Sequence, residues 1–410
     1  MSYITTYLKK HFDPIEADIN EIDIRDIAHA LSLLCRANGH FPQFYSVAQH
    51  SLNCAKEAKA RGYSERVQLG CLLHDASEAY LSDVTRPIKA QLPKYIEIEE
   101  KLQIAIFDKW INPSLTEEER KLIFEIDDVV LHYEFLHFMG EEIGNDKEKI
   151  ISKLEYDFCD FSLVKNSFIR RFRALIGETE NQFVGVDWMN GKWLAVELFN
   201  EEVSYSIFEE ISELCEYYAN ANAILIDVPI GLPENEKQAK ERPDQAARKY
   251  LTVAQRKSSV FNVPYRQMVY SASKTDFWNL RDELGAKITV QSFGIVKCIR
   301  QVDEFLLQNP KWQNRLLESH PECAFQALNN GNGIEYSKHS EEGIKLRRDI
   351  LSKYVYNVDE LLGMVSGQAK EDMLDALCLA ITAKLGCKSI PENPSEDDKG
   401  LKMQILVADI

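Results

Sequence analysis

The sequence predicts a multidomain chain of α and α/β class, an all-helical region followed by a mixed-sheet α/β region. Three observations predict it. Up to Ile176 the apolar residues recur at helical spacing in long segments, separated by short polar breaks such as Gly39 and Gly62. After GETENQ (177–182) the pattern changes to short strand-like runs, FVGVDW and KWLAVEL, joined at Met189-Asn190-Gly191, and Asn-Gly is a strong hairpin signal. AILIDVP (223–229) then reads as a third, buried strand. Helices are expected over 201–219 and 370–385, the first with a solvated glutamate face and an apolar face of Ile207, Ile211, Leu214 and Tyr218. SIPENPSEDDKG (389–400) reads as a polar loop before the apolar run MQILVADI. These signals place a boundary near Gly177–Glu180, with domains at residues 1–179 and 180–410.

Composition narrows the function classes. The 410 residues are 45% hydrophobic and 28% charged, an ordinary globular balance. No apolar stretch is long enough to span a membrane, and the start, MSYITTYLKKHFDPIEAD, lacks the apolar core of a signal peptide. The nine cysteines are scattered without a CxxC pair, which predicts reduced thiols and a cytoplasmic setting. A net charge of −17 argues against a surface that binds nucleic acid everywhere, and leaves room for a local basic groove or a metal site facing phosphate.

The helical region carries ionisable residues on faces that should be buried. Ser46-Val47-Ala48-Gln49 is a capping-box pattern that starts a helix, and Val47, His50, Cys54 and Ala58 share one of its faces. A second helix, expected over 65–81, aligns Val67, Cys71, His74 and Glu78, with Asp75 about 100° around from His74. A third, expected over 117–139, aligns Ile123, Asp127, Val130 and Glu134. A lone histidine on an apolar face is usually a satisfied core residue, and Asp127 alone suits an arginine partner. The ordered set His…His-Asp…Asp on successive helices is much rarer. Burying those charges is costly unless a metal ion removes the cost. Two imidazoles and two carboxylates suit Mn, Fe, Co or Zn better than Ca, and leave open positions for water and a phosphate.

The pieces CRANGHFPQFYSVAQHS, LLHDASEAYLSDVTRPIK and IDDVVLHYEF cover most of residues 22–140. They resemble the HD superfamily of metal-dependent phosphohydrolases, closest to the subgroup similar to bacterial 5′-deoxynucleotidases. The resemblance implies His50, His74, Asp75 and Asp127 as metal ligands for Mn, Co, Fe or Zn. It implies Glu78 as the catalytic carboxylate, Asp83 as its assistant, and Arg36 and His40 as phosphate contacts. The expected substrate is a nucleotide, and many such enzymes are homo-oligomers.

The second region has its own acidic set. Asp187 and Asp227 end strand-like runs, Glu318 ends RLLESHPE near His320 and Glu322, and Asp372 and Asp375 share a helix face. Carboxylates so placed can hold two divalent cations about 4 Å apart, the clamp that cuts phosphodiesters. A turn cap at Asp227 or a solvated face at Asp372 and Asp375 accounts for single members equally well. GVDWMNGKW, IDVPIGLP, ERPDQAARKYLTVAQRKSSVFNVPYR, SFGIVKCIRQVDEFL, ESHPECAF and DMLDALCLAITAK cover nearly all of 182–386. They resemble an uncharacterised family of predicted nucleases with an RNase H-like fold. That resemblance implies Asp187, Asp227, Glu318, Asp372 and Asp375 as ligands for Mg or Mn, with nucleic acid as the partner. The basic window 237–266 supplies Arg248, Arg256 and Ser259 as expected substrate contacts, against a solvated helix balanced by Glu234, Glu236, Glu241 and Asp244. The overall expectation is a phosphohydrolase acting on nucleotides joined to a two-metal nuclease. The alternative is a sensor whose second domain binds nucleotide or nucleic acid without cutting.

Overall fold

The computed structural model describes residues 3–143, 148–178, 181–199 and 202–410. The chain divides into two compact units, Met1–Thr179 and Glu180–Ile410, each with its own apolar core. The expected boundary at Gly177–Glu180 falls partly on residues 179–180, outside the described residues. The first unit is helical and the second is an α/β fold around a five-stranded mixed sheet. Among the described residues, no helix is long and apolar enough to cross a membrane.

The helical unit opens with a small ribbon, β1 (Ile4–Thr5) against β2 (His11–Phe12). Six longer helices follow: α1 (Ile24–Leu33), α2 (Val47–Ala60), α3 (Glu65–Leu73), α4 (Pro93–Trp110), α5 (Glu117–Met139) and α6 (Phe161–Leu175). Ser46 and Gln49 form the expected capping box of α2. Thr116 and Glu119 form another at the start of α5, so orphan amide groups at both starts are satisfied. Val47, His50, Cys54 and Ala58 are all fully buried, as the spacing of the α2 stripe predicts.

The helix expected over 65–81 is interrupted. Helix α3 stops at Leu73, the chain turns through His74–Ser77, and a short helix resumes at Glu78–Leu81. The turn is tightened by bonds from Ala76 N to the Leu73 carbonyl and from Glu78 N to the Asp75 carbonyl, both 3.0 Å. Gln103 of α4 bridges the break: its amide donates to the Leu73 carbonyl at 2.7 Å and its oxygen accepts from Ser77 N at 3.0 Å. A partner from a distant helix thus satisfies the backbone groups that the break exposes.

In the second unit the sheet order is β5–β4–β3–β6–β7. Strands β3 (Gln182–Met189), β4 (Lys192–Phe199) and β5 (Glu202–Phe208) are antiparallel, and β6 (Ala223–Ile226) and β7 (Leu316–Glu318) continue the sheet in parallel from β3. Asn190 and Gly191 turn the first hairpin with φ of 50° and 87°, the left-handed pair that a tight hairpin requires. The remaining elements used below are α7 (Ile211–Tyr217), α8 (Pro321–Leu328), α9 (Ala369–Leu385), β8 (Cys387–Glu396) and β9 (Lys402–Ala408).

Helix α9 is buried on every side from Glu371 to Ala383. It lies so close to β3 that a Cβ on Gly185 would stand 1.9 Å from the Ala376 carbonyl oxygen and 2.4 Å from the Ala380 nitrogen. Only glycine permits this approach, and it brings the α9 carboxylates beside the sheet.

Two expectations fail here. The helix expected over 201–219 is strand β5 followed by the short helix α7. In EVSYSIF, Val203 and Tyr205 pack against the core and Ser206 and Phe208 are buried, while Ile207, assigned to the helix's apolar face, is 39% exposed. The polar loop expected at 389–400 is largely strand β8, paired antiparallel with β9 across an irregularity between Ile390 and Ser395. Pairing with an apolar partner outweighed its weak strand propensity.

Candidate functional site

In the helical unit, α2 delivers His50, the end of α3 delivers His74 and Asp75, and α5 delivers Asp127. The Nε2 atoms of His50 and His74 lie 3.2 Å apart. Asp127 Oδ1 lies 3.1 Å from His50 Nε2 and 3.6 Å from His74 Nε2, and Asp75 Oδ2 lies 3.2 Å from His74 Nε2. The sequence set of four therefore converges on one point.

Both rings are oriented from behind. His74 Nδ1 lies 2.8 Å from the Cys71 carbonyl and His50 Nδ1 lies 2.8 Å from Glu134 Oε1. Each Nδ1 is thus placed to donate, so the Nε2 of each ring, when neutral, would be available to hold an ion. His50, Cys54 and His74 also form a group whose donor atoms lie within 4.8 Å of one another, a spacing that can hold a metal ion. Burial pushes the Cys54 thiol well up, which disfavours its thiolate beside the carboxylates.

The electrostatics follow from this packing. Burial opposes ionisation of Asp75, but His74 and Arg36 hold it well below the usual carboxylate range. Burial likewise opposes Asp127, and hydrogen bonds from His50 and His74 hold it down. Burial opposes charge on His74, and Asp75 and Asp127 more than offset this, so its ring is pushed well up. Glu78 behaves oppositely. Burial, then Asp75 and Asp83, push its carboxyl well above the ordinary value, and its Oε2 has no hydrogen-bond partner. Burial also raises Asp83, with Asp75 adding to the shift.

Arg36 sits among the four converging side chains, its Nη1 3.0 Å from Asp75 Oδ2 and its Nη2 3.0 Å from His50 Nε2. His40 lies exposed at the end of the Arg36–Gly39 turn. Four contributors were not assigned a role from the sequence. Glu134 orients His50 while accepting from the Tyr45 hydroxyl at 2.8 Å, and Asn53 donates to that hydroxyl at 2.8 Å. Arg86 reaches Asp127 Oδ2 at 3.2 Å and Asp128 at 3.2 Å. Glu134 was visible as a member of the Asp127 stripe, two turns on.

In the α/β unit, Asp187 on β3, Asp227 just past β6, and Asp372 and Asp375 on α9 are electrostatic neighbours. Burial and then the other three aspartates push Asp187 well up. Burial, with Asp375 adding to it, raises Asp227 to about 6. Burial and Asp375 likewise raise Asp372 to about 6, against the opposing charge of Lys338. Lys338 bonds Asp375 Oδ2 at 2.9 Å. It comes from the 329–340 connection, where no pattern in the sequence marked it.

The structure does not bring Glu318 to this group. Its carboxylate accepts from Arg242 at 2.8 and 3.1 Å and from Ile230 N at 2.7 Å, a buried pair that pins the turn after β6. The expected substrate contacts are also engaged within the chain. Arg248 donates to the Val260 carbonyl and to Asn262, Arg256 to the Glu335 carbonyl, and the Ser259 hydroxyl to the Arg256 carbonyl. These residues brace the 254–262 segment.

Two curated relatives are similar to parts of this chain. One is "Uncharacterized protein YfdR" of Escherichia coli (strain K12), 40% identical over 110 residues, which are 27% of this chain and 59% of that protein. The other is "Uncharacterized protein RCAP_rcc00048" of Rhodobacter capsulatus, 35% identical over 127 residues, 30% of this chain and 64% of that protein. The chain spans less than two thirds of the length of either relative. Residues 185–396, just over half of the chain and all four clustered aspartates, match the family described as "Protein of unknown function (DUF429)". By that match the chain belongs to the DUF429 family.

Proposed function

We propose that the helical unit is a metal-dependent phosphohydrolase of the HD type that acts on nucleotides, with 5′-(deoxy)nucleoside phosphates as substrates. The observation that carries the reading is the convergence of His50, His74, Asp75 and Asp127 from three helices, with both Nδ1 atoms engaged elsewhere. These four residues would hold the ion. When bound, a divalent cation supplies Lewis acidity, activates water near neutral pH and offsets phosphate charge. Arg36, already among the ligands, supplies a guanidinium for phosphate oxygens. Burial, then Asp75 and Asp83, push the Glu78 carboxyl well above its ordinary value, which suits it to give a proton to the leaving oxygen.

The test is phosphate release from ribo- and deoxyribonucleoside mono- and triphosphates with Mn²⁺, Co²⁺ or Mg²⁺. Wild type is compared with Asp75→Ala. Release from monophosphates that disappears in the variant supports the reading, and silence across the panel with metal bound would sink it.

For the α/β unit we propose a Mg²⁺ or Mn²⁺ site at Asp187, Asp227, Asp372 and Asp375 that cuts nucleic acid. The support is the crowding of four carboxylates, whose repulsion a cation would relieve. The Lys338–Asp375 pair favours a second reading, in which the cluster is partly neutralised and the unit binds nucleotide or nucleic acid without cutting. Nuclease activity in wild type that Asp187→Ala removes would decide for the first.

A further inference from the structure

Beside α2, and off the stripe that carries His50, the helical unit has a half-open cavity of about 540 Å³. Its wall includes Asn53, Lys56 and Lys59 from α2, Phe158, and Val164 and Arg171 from or near α6. The volume is that of a small-molecule site. Its charge is unusual within an acidic chain. Lys56 is paired with Glu155 at 2.8 Å, and Asp157 also lines the wall. Arg171 makes its hydrogen bond to a neutral group, Gln68 Oε1 at 2.5 Å, and the acidic charge acting on it, Glu65, forms no ion pair with it among the described residues. Lys59 is exposed and, among the described residues, has no ion-pair partner. Burial of a guanidinium that Glu65 offsets only from beyond ion-pair distance is costly, and an anionic ligand would reduce that cost.

We propose that this cavity binds a nucleotide-sized organic phosphate, with Arg171 and Lys59 receiving the phosphate and Phe158 providing an aromatic surface for the base. It is a second site, separate from the converging histidines. A hydrogen-bonded chain joins the two. Asn53, in the cavity wall, donates to the Tyr45 hydroxyl at 2.8 Å, Tyr45 donates to Glu134 at 2.8 Å, and Glu134 orients His50 at 2.8 Å. An occupant that shifts Asn53 therefore acts on the orientation of His50. This coupling rests on the metal-site reading, whereas the binding does not.

The experiment is a calorimetric titration of the full chain carrying Asp75→Ala, in EDTA, with AMP, ATP and inorganic phosphate. Saturable nucleotide binding is expected, weakened at least tenfold by Lys59→Glu and by Arg171→Gln, each checked for an unchanged thermal melt. Absence of saturable heat, an affinity that neither substitution changes, or inorganic phosphate binding as tightly as ATP would overturn the proposal. Lys59 is exposed, so its substitution remains informative if Arg171→Gln fails to fold. In the wild type, a phosphonate analogue of AMP is expected to shift the Mn²⁺ binding midpoint at least twofold, and Lys59→Glu to abolish that shift. A shift that survives Lys59→Glu belongs to the metal site and overturns the coupling. Failure to bind Mn²⁺ at all would count against the phosphohydrolase reading and leave the cavity result standing.

Discussion

In the helical unit, Asp75 and Asp127 meet two imidazoles and the Arg36 guanidinium; in the α/β unit, four aspartates meet Lys338. The same residue type is driven in opposite directions. Asp75 and Asp127 are held below the usual range because burial is outweighed by nearby positive charge. Asp187, Asp227 and Asp372 are pushed up because burial is reinforced by like charge. A buried acidic cluster is therefore not one kind of object. The helical group carries its own counter-charge and is shaped before any ion arrives, whereas the α/β group is short of positive charge and gains most from an added cation.

The largest effect is expected from Asp127→Ala, which removes a carboxylate shared by His50, His74 and Arg86. Mn²⁺ affinity of the helical unit should fall by more than about 100-fold, the upper range for losing an outer-shell partner, read by equilibrium dialysis. Gly185→Ala should act on the other unit alone. Its Cβ would meet the backbone of α9, costing about 3 kcal/mol of stability. A thermal melt should show the loss in the α/β unit and leave the melting of the helical unit unchanged. Saturating Mn²⁺, at about 100 times its Kd, should add about 2.7 kcal/mol to the α/β unit, and Asp187→Asn should reduce that gain.

Smaller effects sharpen the contrast. Glu134→Gln leaves the four ligands in place but weakens the hold on His50, and a loss of about 10- to 100-fold in metal affinity is expected. The smallest effect concerns pH. Arg66 and the Thr116 amide hold Glu119 down to about 2 from 4.5. Its contribution to the start of α5 is complete above 4.5 and is lost as pH falls through about 2. Hydrogen exchange at the first turn of α5 should rise over that interval and leave the α/β sheet unchanged.

How much was readable in advance depended on whether the signal was local. The capping box at Ser46, the α2 stripe, the Asn190-Gly191 hairpin and α9 are written in short-range spacing, and the structure has them where that spacing puts them. The convergence of His50, His74 and Asp127 was readable because each stood on an inward stripe of its helix, with Asp75 next to His74. By itself, then, the sequence determined the class of each half, the apolar face of α2, and that His50 would be carried inward with it. Tertiary structure alone decided the rest. The break after Leu73 is held by Gln103 from another helix, and residues 389–396 became a strand because β9 lay beside them. Glu318 left the acidic cluster because Arg242 captured it, while Lys338 joined from a connection without a pattern. Each of these outcomes depends on a partner distant in the chain, and helix or strand periodicity carries no information about such partners.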